Sequence, residues 1–498
     1  MSHIYFNVEC PCFSEVELLK SKSCIKFSFL DNNVSMFVDH KLWENNTPLY
    51  KKDNKLLFVA GWFINSDYEL NNMEKLFSDL EKNNIKDIVD SLVAGVFIAG
   101  YYDHKQAVIF SDPFGLTPHY YSLNQGIIRI SPSTKDFSSN MINDDYSNIL
   151  EQQGHMFYNH TNYEDVYKII PGDLFEINNG MITYTNIGFK INDDGKSVFD
   201  IVELTNKLIS CFPNNSLSTA LSAGFDSRLI FMESNTKYTY TWGQETSLDV
   251  INGKKLAHKK NVNHLSFGFK DNIISESTEK MCSYLFDGSV KNYNSQFYEN
   301  YKYVNSNSAD QYIALDGYLG DVLQRGVYMT HGGKKGELLK LFPTFTTGNL
   351  TAEKLLEARY CKVDDKLRTL VVNDFHKVIE NIYELDELQK VTYFEFLYGR
   401  GLRYITTASL CMNSIFKTIV PVFASRYIFS ILVQQNAKDT LTYKTFQKIW
   451  MSTPKFEREL KSEGFYSPST YPLFIPYINF FGRLITNFHP KYLNYTKK

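Results

Sequence analysis

The spacing of hydrophobic positions changes part-way along this chain. Up to about residue 190, apolar residues come in short β-branched or aromatic runs bounded by Asn, Asp and Gly: Leu56–Ile64, Leu92–Tyr102 and Gln106–Phe110. Such runs predict strands. Between the first two, Met73, Leu76, Phe77 and Leu80 share one face of a helical repeat, which predicts a helix over 71–84. Strands are expected again at Gly126–Ser131 and Leu174–Tyr184, the second after a Pro171-Gly172-Asp173 turn. The polar stretch from Ile191 to Ser197 reads as an inter-domain linker.

Beyond it, strand and helix patterns alternate. A helix over 198–212 leads into a short strand over 216–221. The stretches 237–242 and 264–269 read as further strands, with a helix over 250–260 between them. That alternation predicts a parallel sheet with helices on both faces. From about residue 340 the pattern is mainly helical, and there is no internal repeat or low-complexity segment.

With 498 residues the chain exceeds one ordinary core, so two large domains are expected, 1–192 and 198–498. Hydrophobic content of 43% and charged content of 21% are globular values that require no long disordered part. A net charge of −3 argues against nucleic acid or an anionic membrane as partner. The seven cysteines are odd in number and scattered, and Cys10-Pro-Cys12 lacks the gap of a redox or zinc pair. Reduced thiols in a cytoplasmic protein are the expectation. No basic region precedes an apolar core near Met1, so no secretory signal is expected. The most apolar stretches, Ser414–Val433 and Tyr471–Phe488, contain Lys417, Arg426 and Arg483. They read as buried or interfacial helices rather than membrane spans.

The candidate chemistry lies in Leu221-Ser-Ala-Gly-Phe-Asp-Ser-Arg228. Small residues between a strand and a helix leave backbone N–H groups uncovered at a positive helix end. Ser222 and Ser227 add hydroxyls, and Asp226 adds a carboxylate able to hold Mg²⁺ beside a phosphate. The pattern is a pyrophosphate cradle, and it is not a Walker loop because no Gly-Lys-Ser/Thr follows. An ordinary capped strand-to-helix turn is the alternative reading.

The run resembles the nucleotide loop of the asparagine synthetase superfamily, Ser-Gly-Gly-x-Asp-Ser, with Ala223 at the first glycine. Alanine suits that place if it keeps a negative φ. Leu315-Asp-Gly-Tyr-Leu-Gly-Asp-Val-Leu323 resembles the second motif of that family, Gly-x-Gly-x-Asp-Glu. The resemblance places Leu221, Ser222, Ala223, Gly224, Asp226, Ser227, Trp242 and Gly317 around ATP. It places Asp226 and Asp321 on Mg²⁺. Tyr318 resembles the tyrosine that β-lactam synthetases pair with a glutamate to deprotonate the attacking amine, which nominates Glu395 as its partner. Lys461, with Lys455 as the alternative, is nominated to stabilise charge on the leaving pyrophosphate.

In the first half, Ser111-Asp-Pro-Phe-Gly-Leu-Thr-Pro-His-Tyr-Tyr121 resembles the Arg-Asp-Pro-x-Gly-x-x-Pro-Leu-Tyr-Tyr signature of the glutaminase domain of asparagine synthetases. Gly61–Asn65 with Glu69-Leu70, and Ile170-Pro-Gly172, resemble two further elements of it. Its nucleophilic cysteine is replaced by Ser2, and the first arginine is Arg129. The resemblance therefore implies an inactive glutaminase-like scaffold, as in β-lactam synthetases and lasso-peptide cyclases. The expected fold is an N-terminal Ntn-hydrolase-like αββα sandwich. A C-terminal α/β ATP-pyrophosphatase (PP-loop) domain with a helical end is expected to follow it.

The implied activity is an ATP-dependent, AMP-forming ligase that adenylates a small-molecule or peptide carboxylate and joins it to an amine. Ammonia-dependent amidation of a small acid, sugar acid or peptide is one alternative, and a nucleotide-binding pseudoenzyme another. A homodimer is the candidate assembly.

Overall fold

Among the described residues, two six-stranded antiparallel sheets and one five-stranded sheet organise the fold. The computed structural model describes residues 4–8, 24–29, 34–39, 49–103, 106–124, 127–137, 141–178, 181–291, 293–331 and 333–488. The chain divides into two compact units. The first comprises Met1–Ile191, Ser275–Tyr298 and Leu397–Thr418, and the second takes the remainder from Asn192 onward. Two stretches from the second half of the sequence thus belong with the first half, which the expectation of two contiguous domains did not contain.

In the first unit the strand Lys55–Ile64 shows how alternation builds layers. Phe58 and Ala60 face Tyr121, Ile128 and Ile130 of the other sheet. Leu57 and Val59 face Phe77 and Ile88 of the helices Met73–Lys82 and Ile85–Ser91. Successive side chains of a strand point to opposite faces, so one strand serves both cores. The helix expected over 71–84 runs Met73–Lys82, with the Asn72 side chain accepting the Lys75 N–H at its start. The single strand expected over Leu174–Tyr184 is instead a hairpin, Asp173–Asn178 against Met181–Asn186, paired Asn178↔Met181. The Asn-Gly pair between the two strands is a hairpin signal that outweighs the apolar run.

Asp287 ties the inserted stretch to this unit by accepting the Tyr163 hydroxyl at 2.7 Å and the Thr134 hydroxyl at 2.8 Å. Gly401–Leu410 forms a π-helix within the same unit.

In the second unit the five-stranded sheet is ordered Asn263–Phe267, Tyr238–Trp242, Leu217–Ala220, Ile313–Asp316, Thr418–Pro421. The first four of these pair in parallel. Mixed α/β architecture, antiparallel in the first unit and parallel with helices in the second, follows from these pairings. The stretch Ser414–Val433, read as helical, contributes the strand Thr418–Pro421 before the helix Arg426–Val433 begins. Among the described residues no helix is long and apolar enough to cross a membrane.

Candidate functional site

The strand order of the parallel sheet fixes where its site lies. From Leu217–Ala220 the chain builds outward through two strands, then returns to the other side of Leu217–Ala220 with Ile313–Asp316. These two strands run parallel, Leu217↔Ile313 and Thr219↔Leu315. A crevice outside their carboxyl ends is the usual ligand position in such sheets, because the connections diverge there. Both sequence motifs leave the sheet at that point.

The motifs are in contact. A Cβ on Gly317 would stand 3.1 Å from the Ser227 nitrogen, and one on Gly320 would stand 2.6 Å from the Asp226 carboxyl carbon. A side chain at 320 would therefore have to displace the Asp226 carboxyl and the Phe423 ring. Leu319, just before the helix Gly320–Arg325, has a φ of +67°. A left-handed leucine is a strained conformation of the kind held at ligand loops, worth about 1–3 kcal/mol.

Within the first loop the small residues bond to one another. Ser222 Oγ accepts the Gly224 N–H at 2.9 Å and lies 3.1 Å from Ser227 Oγ. The Ala223 N–H donates to Asp249 at 2.8 Å, so this loop N–H already holds an anion supplied by the next helix. Ala223 has no positive φ, which is why alanine fits at that place. Leu221 is buried and donates to Tyr240 O. The helix Phe225–Glu233 starts at Gly224 with no side-chain cap. Its positive end is left for an anionic ligand. Beneath the loop, buried Arg228 donates to Ala223 O, Glu457 O and Leu460 O, clamping the loop to the late segment. Burial lowers the Arg228 pKa to about 10.

Asp226 does not stand open to a metal. Its Oδ1 accepts from Gln324 Nε2 at 2.8 Å and its Oδ2 pairs with Arg325 at 2.9 Å. Burial raises the Asp226 pKa, Arg325 opposes that shift, and Asp321 adds to it. Arg325, like Asp226, is half-buried, and the attraction of Asp226 and Tyr466 outweighs desolvation to keep it charged. Asp321 is half-buried and makes no hydrogen bond or ion pair among the described residues. The described residues contain no cluster of three or more His, Cys, Asp or Glu able to hold a metal. The expectation that Asp226 and Asp321 share Mg²⁺ therefore does not fit this arrangement. A cation at Asp226 would have to displace the Arg325 guanidinium, which already neutralises that carboxylate.

The remaining candidates are placed as follows. The Tyr318 hydroxyl lies 3.1 Å from the Tyr301 hydroxyl. Glu395 is buried and paired with Arg359 at 3.0 Å, and Arg359 also stacks on Tyr328. A Tyr318–Glu395 base would require that ion pair to open. Lys461 has an exposed side chain, while its carbonyl accepts from Asn252 at 2.9 Å, which fastens the late loop to the helix Leu248–Lys259. Lys455 is exposed and paired with Glu459 at 3.6 Å. Trp242 ends its strand and meets the Tyr301 ring edge-on at 5.4 Å.

Sequence reasoning missed Arg325, Gln324, Asp249 and Asp316. Arg325 and Gln324 follow the second motif one helical turn on, a spacing that puts them on the face of Asp321 and was readable. Asp249 opens its helix, where acids are common for capping alone, so nothing marked it.

In the first unit the Ser111–Tyr121 run is a self-bonded turn. Asp112 is buried and accepts N–H groups from Phe114, Leu116 and Thr117 at 3.1, 2.9 and 2.9 Å. Gly115 at φ +60° abuts Ile170-Pro171, so two of the elements quoted from the sequence touch. Lys168 is buried nearby and donates to the carbonyls of Gly115, Thr117 and Ile169. Ser2 lies outside the described residues.

No protein-family model matches the chain, and no curated protein matches it. Among solved structures it is similar to the glutamine phosphoribosylpyrophosphate (PRPP) amidotransferase from B. subtilis complexed with ADP and GMP. That match has 11% identity and a TM-score of 0.22, and covers 56% of this chain and 61% of that one. A second similar structure is the allosteric regulatory enzyme of purine biosynthesis, at 11% identity and a TM-score of 0.23, covering 54% of this chain and 84% of that one. Likeness at this level carries no assignment for this chain.

Proposed function

We propose that the chain is an ATP-dependent, AMP-forming ligase of the asparagine synthetase kind, with a glutaminase-like first unit that hydrolyses no glutamine. The contact of the two loops, Gly320 against the Asp226 carboxyl at the reversal of strand order, is the observation that supports this reading most. The uncapped helix start and the Ser222–Ser227 loop supply donors for a pyrophosphate. Arg325, oriented by Asp226 and the Tyr466 hydroxyl, supplies a fixed cation beside it.

In this reading the substrate carboxylate attacks the α-phosphorus of ATP and pyrophosphate leaves. An amine then attacks the acyl carbon and AMP leaves. The chain's part is to align the reactants and to present fixed dipoles and charge to the developing negative oxygens. ATP–pyrophosphate exchange and pyrophosphate release, screened over a panel of carboxylates with and without amines, test it. ATP binding without turnover for any pair would favour the pseudoenzyme reading.

A further inference from the structure

The carboxyl end of Ile313–Asp316 carries a second feature beside the nucleotide loop. Asp316 is 7% exposed. Its Oδ1 accepts the Tyr318 N–H at 2.8 Å, closing the turn into the second motif. No donor among the described residues reaches its Oδ2. That oxygen is therefore open to a donor from a ligand or from solvent.

Three aromatic side chains continue from it. Tyr318 is two residues on, its hydroxyl meets that of buried Tyr301, and the Tyr301 ring meets Trp242 edge-on. The negative charge of Asp316 is felt at Tyr301, whose own ionisation is suppressed first by burial and then by Tyr318. Trp242 and Tyr318 are half-exposed, so the wall can be reached from solvent. A carboxylate oxygen without a protein donor, followed by tyrosine and tryptophan side chains, is chemistry that recognises an ammonium group.

We infer that Asp316, with Tyr318, Tyr301 and Trp242, forms the seat of the protonated amine substrate, a primary alkylammonium. This inference rests on the ligase reading and names the second substrate's class. The Asp316 carboxylate accepts one proton from the bound R–NH3⁺, leaving R–NH2 and a neutral carboxyl. The nitrogen lone pair forms the C–N bond to the acyl carbon. The acyl C–O bond to phosphate breaks, and its electron pair leaves with AMP. The remaining excess proton on nitrogen is lost to solvent, giving the amide. Burial pushes the Asp316 pKa up to about 7, which suits a group that must take and return a proton near neutrality.

Propylammonium chloride is the probe, titrated into the full chain with propanol and sodium chloride as controls, reading thermal midpoint and tryptophan fluorescence. Wild type is expected to saturate with propylammonium and not with propanol. Asp316→Asn, which keeps the acceptor for Tyr318 N–H, should lose affinity at least about tenfold. Trp242→Phe should keep the thermal shift and lose the fluorescence change. Equal affinity in Asp316→Asn and wild type, or an equal response to propanol, overturns the proposal. ATP binding measured on the same samples separates the two readings. Retained ATP binding without a propylammonium response refutes this site alone. A propylammonium response without ATP binding refutes the ligase and leaves the ammonium seat standing.

Discussion

The Arg325 guanidinium and the Asp226 carboxylate lie 2.9 Å apart, and Gln324 takes the other carboxylate oxygen. This pair stands where the sequence pattern alone suggests a metal. Arg325→Gln is expected to lower stability by about 1–3 kcal/mol, because it strands a partly buried carboxylate. The same change should strengthen Mg²⁺ binding by freeing Asp226. Denaturant unfolding and Mg²⁺ titration check the two halves. An Asp226→Asn, Arg325→Gln double variant should lose less than the sum of the singles.

Gly320→Ala should damage the site without unfolding the sheet. The added Cβ would lie 2.6 Å from the Asp226 carboxyl and from the Phe423 ring, so these side chains or the second loop must move. ATP affinity is expected to fall at least about tenfold while the circular dichroism spectrum is unchanged. Unaltered ATP affinity would mean that the two loops do not form one site.

Asp316 gives a pH dependence of known sign. Its pKa is raised in the fold from 3.8 to about 7 by burial. Below the unfolded value both states are protonated, and the full stability is present. As pH rises from about 4 through about 7 the unfolded chain gives up its proton first, so stability is lost. The loss is on the order of 4 kcal/mol at most. Asp316→Asn should therefore be more stable than wild type at pH 8 and about equal at pH 4. Thermal melts at the two pH values decide it.

The first unit is expected to hydrolyse no glutamine. Ser2 stands where the glutaminases that the sequence resembles carry cysteine, and no arginine precedes Arg129. Glutamate release measured for wild type should equal that of Ser2→Ala. A faster rate in wild type would restore an active glutaminase.

Legibility in the sequence followed local chemistry. The strand–loop–helix from Leu217 to Glu233 was readable because small residues and a helical run sit side by side. The strand Thr418–Pro421 was not, since four residues between apolar helical stretches carry no period of their own. Nor could periodicity assign Ser275–Tyr298 to the first unit; that rests on tertiary partners such as Asp287 with Tyr163. At the site, the motif residues gave position. What each carboxylate faces depends on side chains one turn away, so Asp226 read as a metal ligand although Arg325 and Gln324 hold it.

The central claim is that a carboxylate is activated as its adenylate. The most direct measurement uses a carboxylate found by the exchange screen, labelled with heavy oxygen in its carboxyl group, and follows the label through one turnover. The account predicts that AMP and pyrophosphate form and that AMP carries one labelled oxygen. Label in inorganic phosphate, with ADP as the nucleotide product, would contradict it.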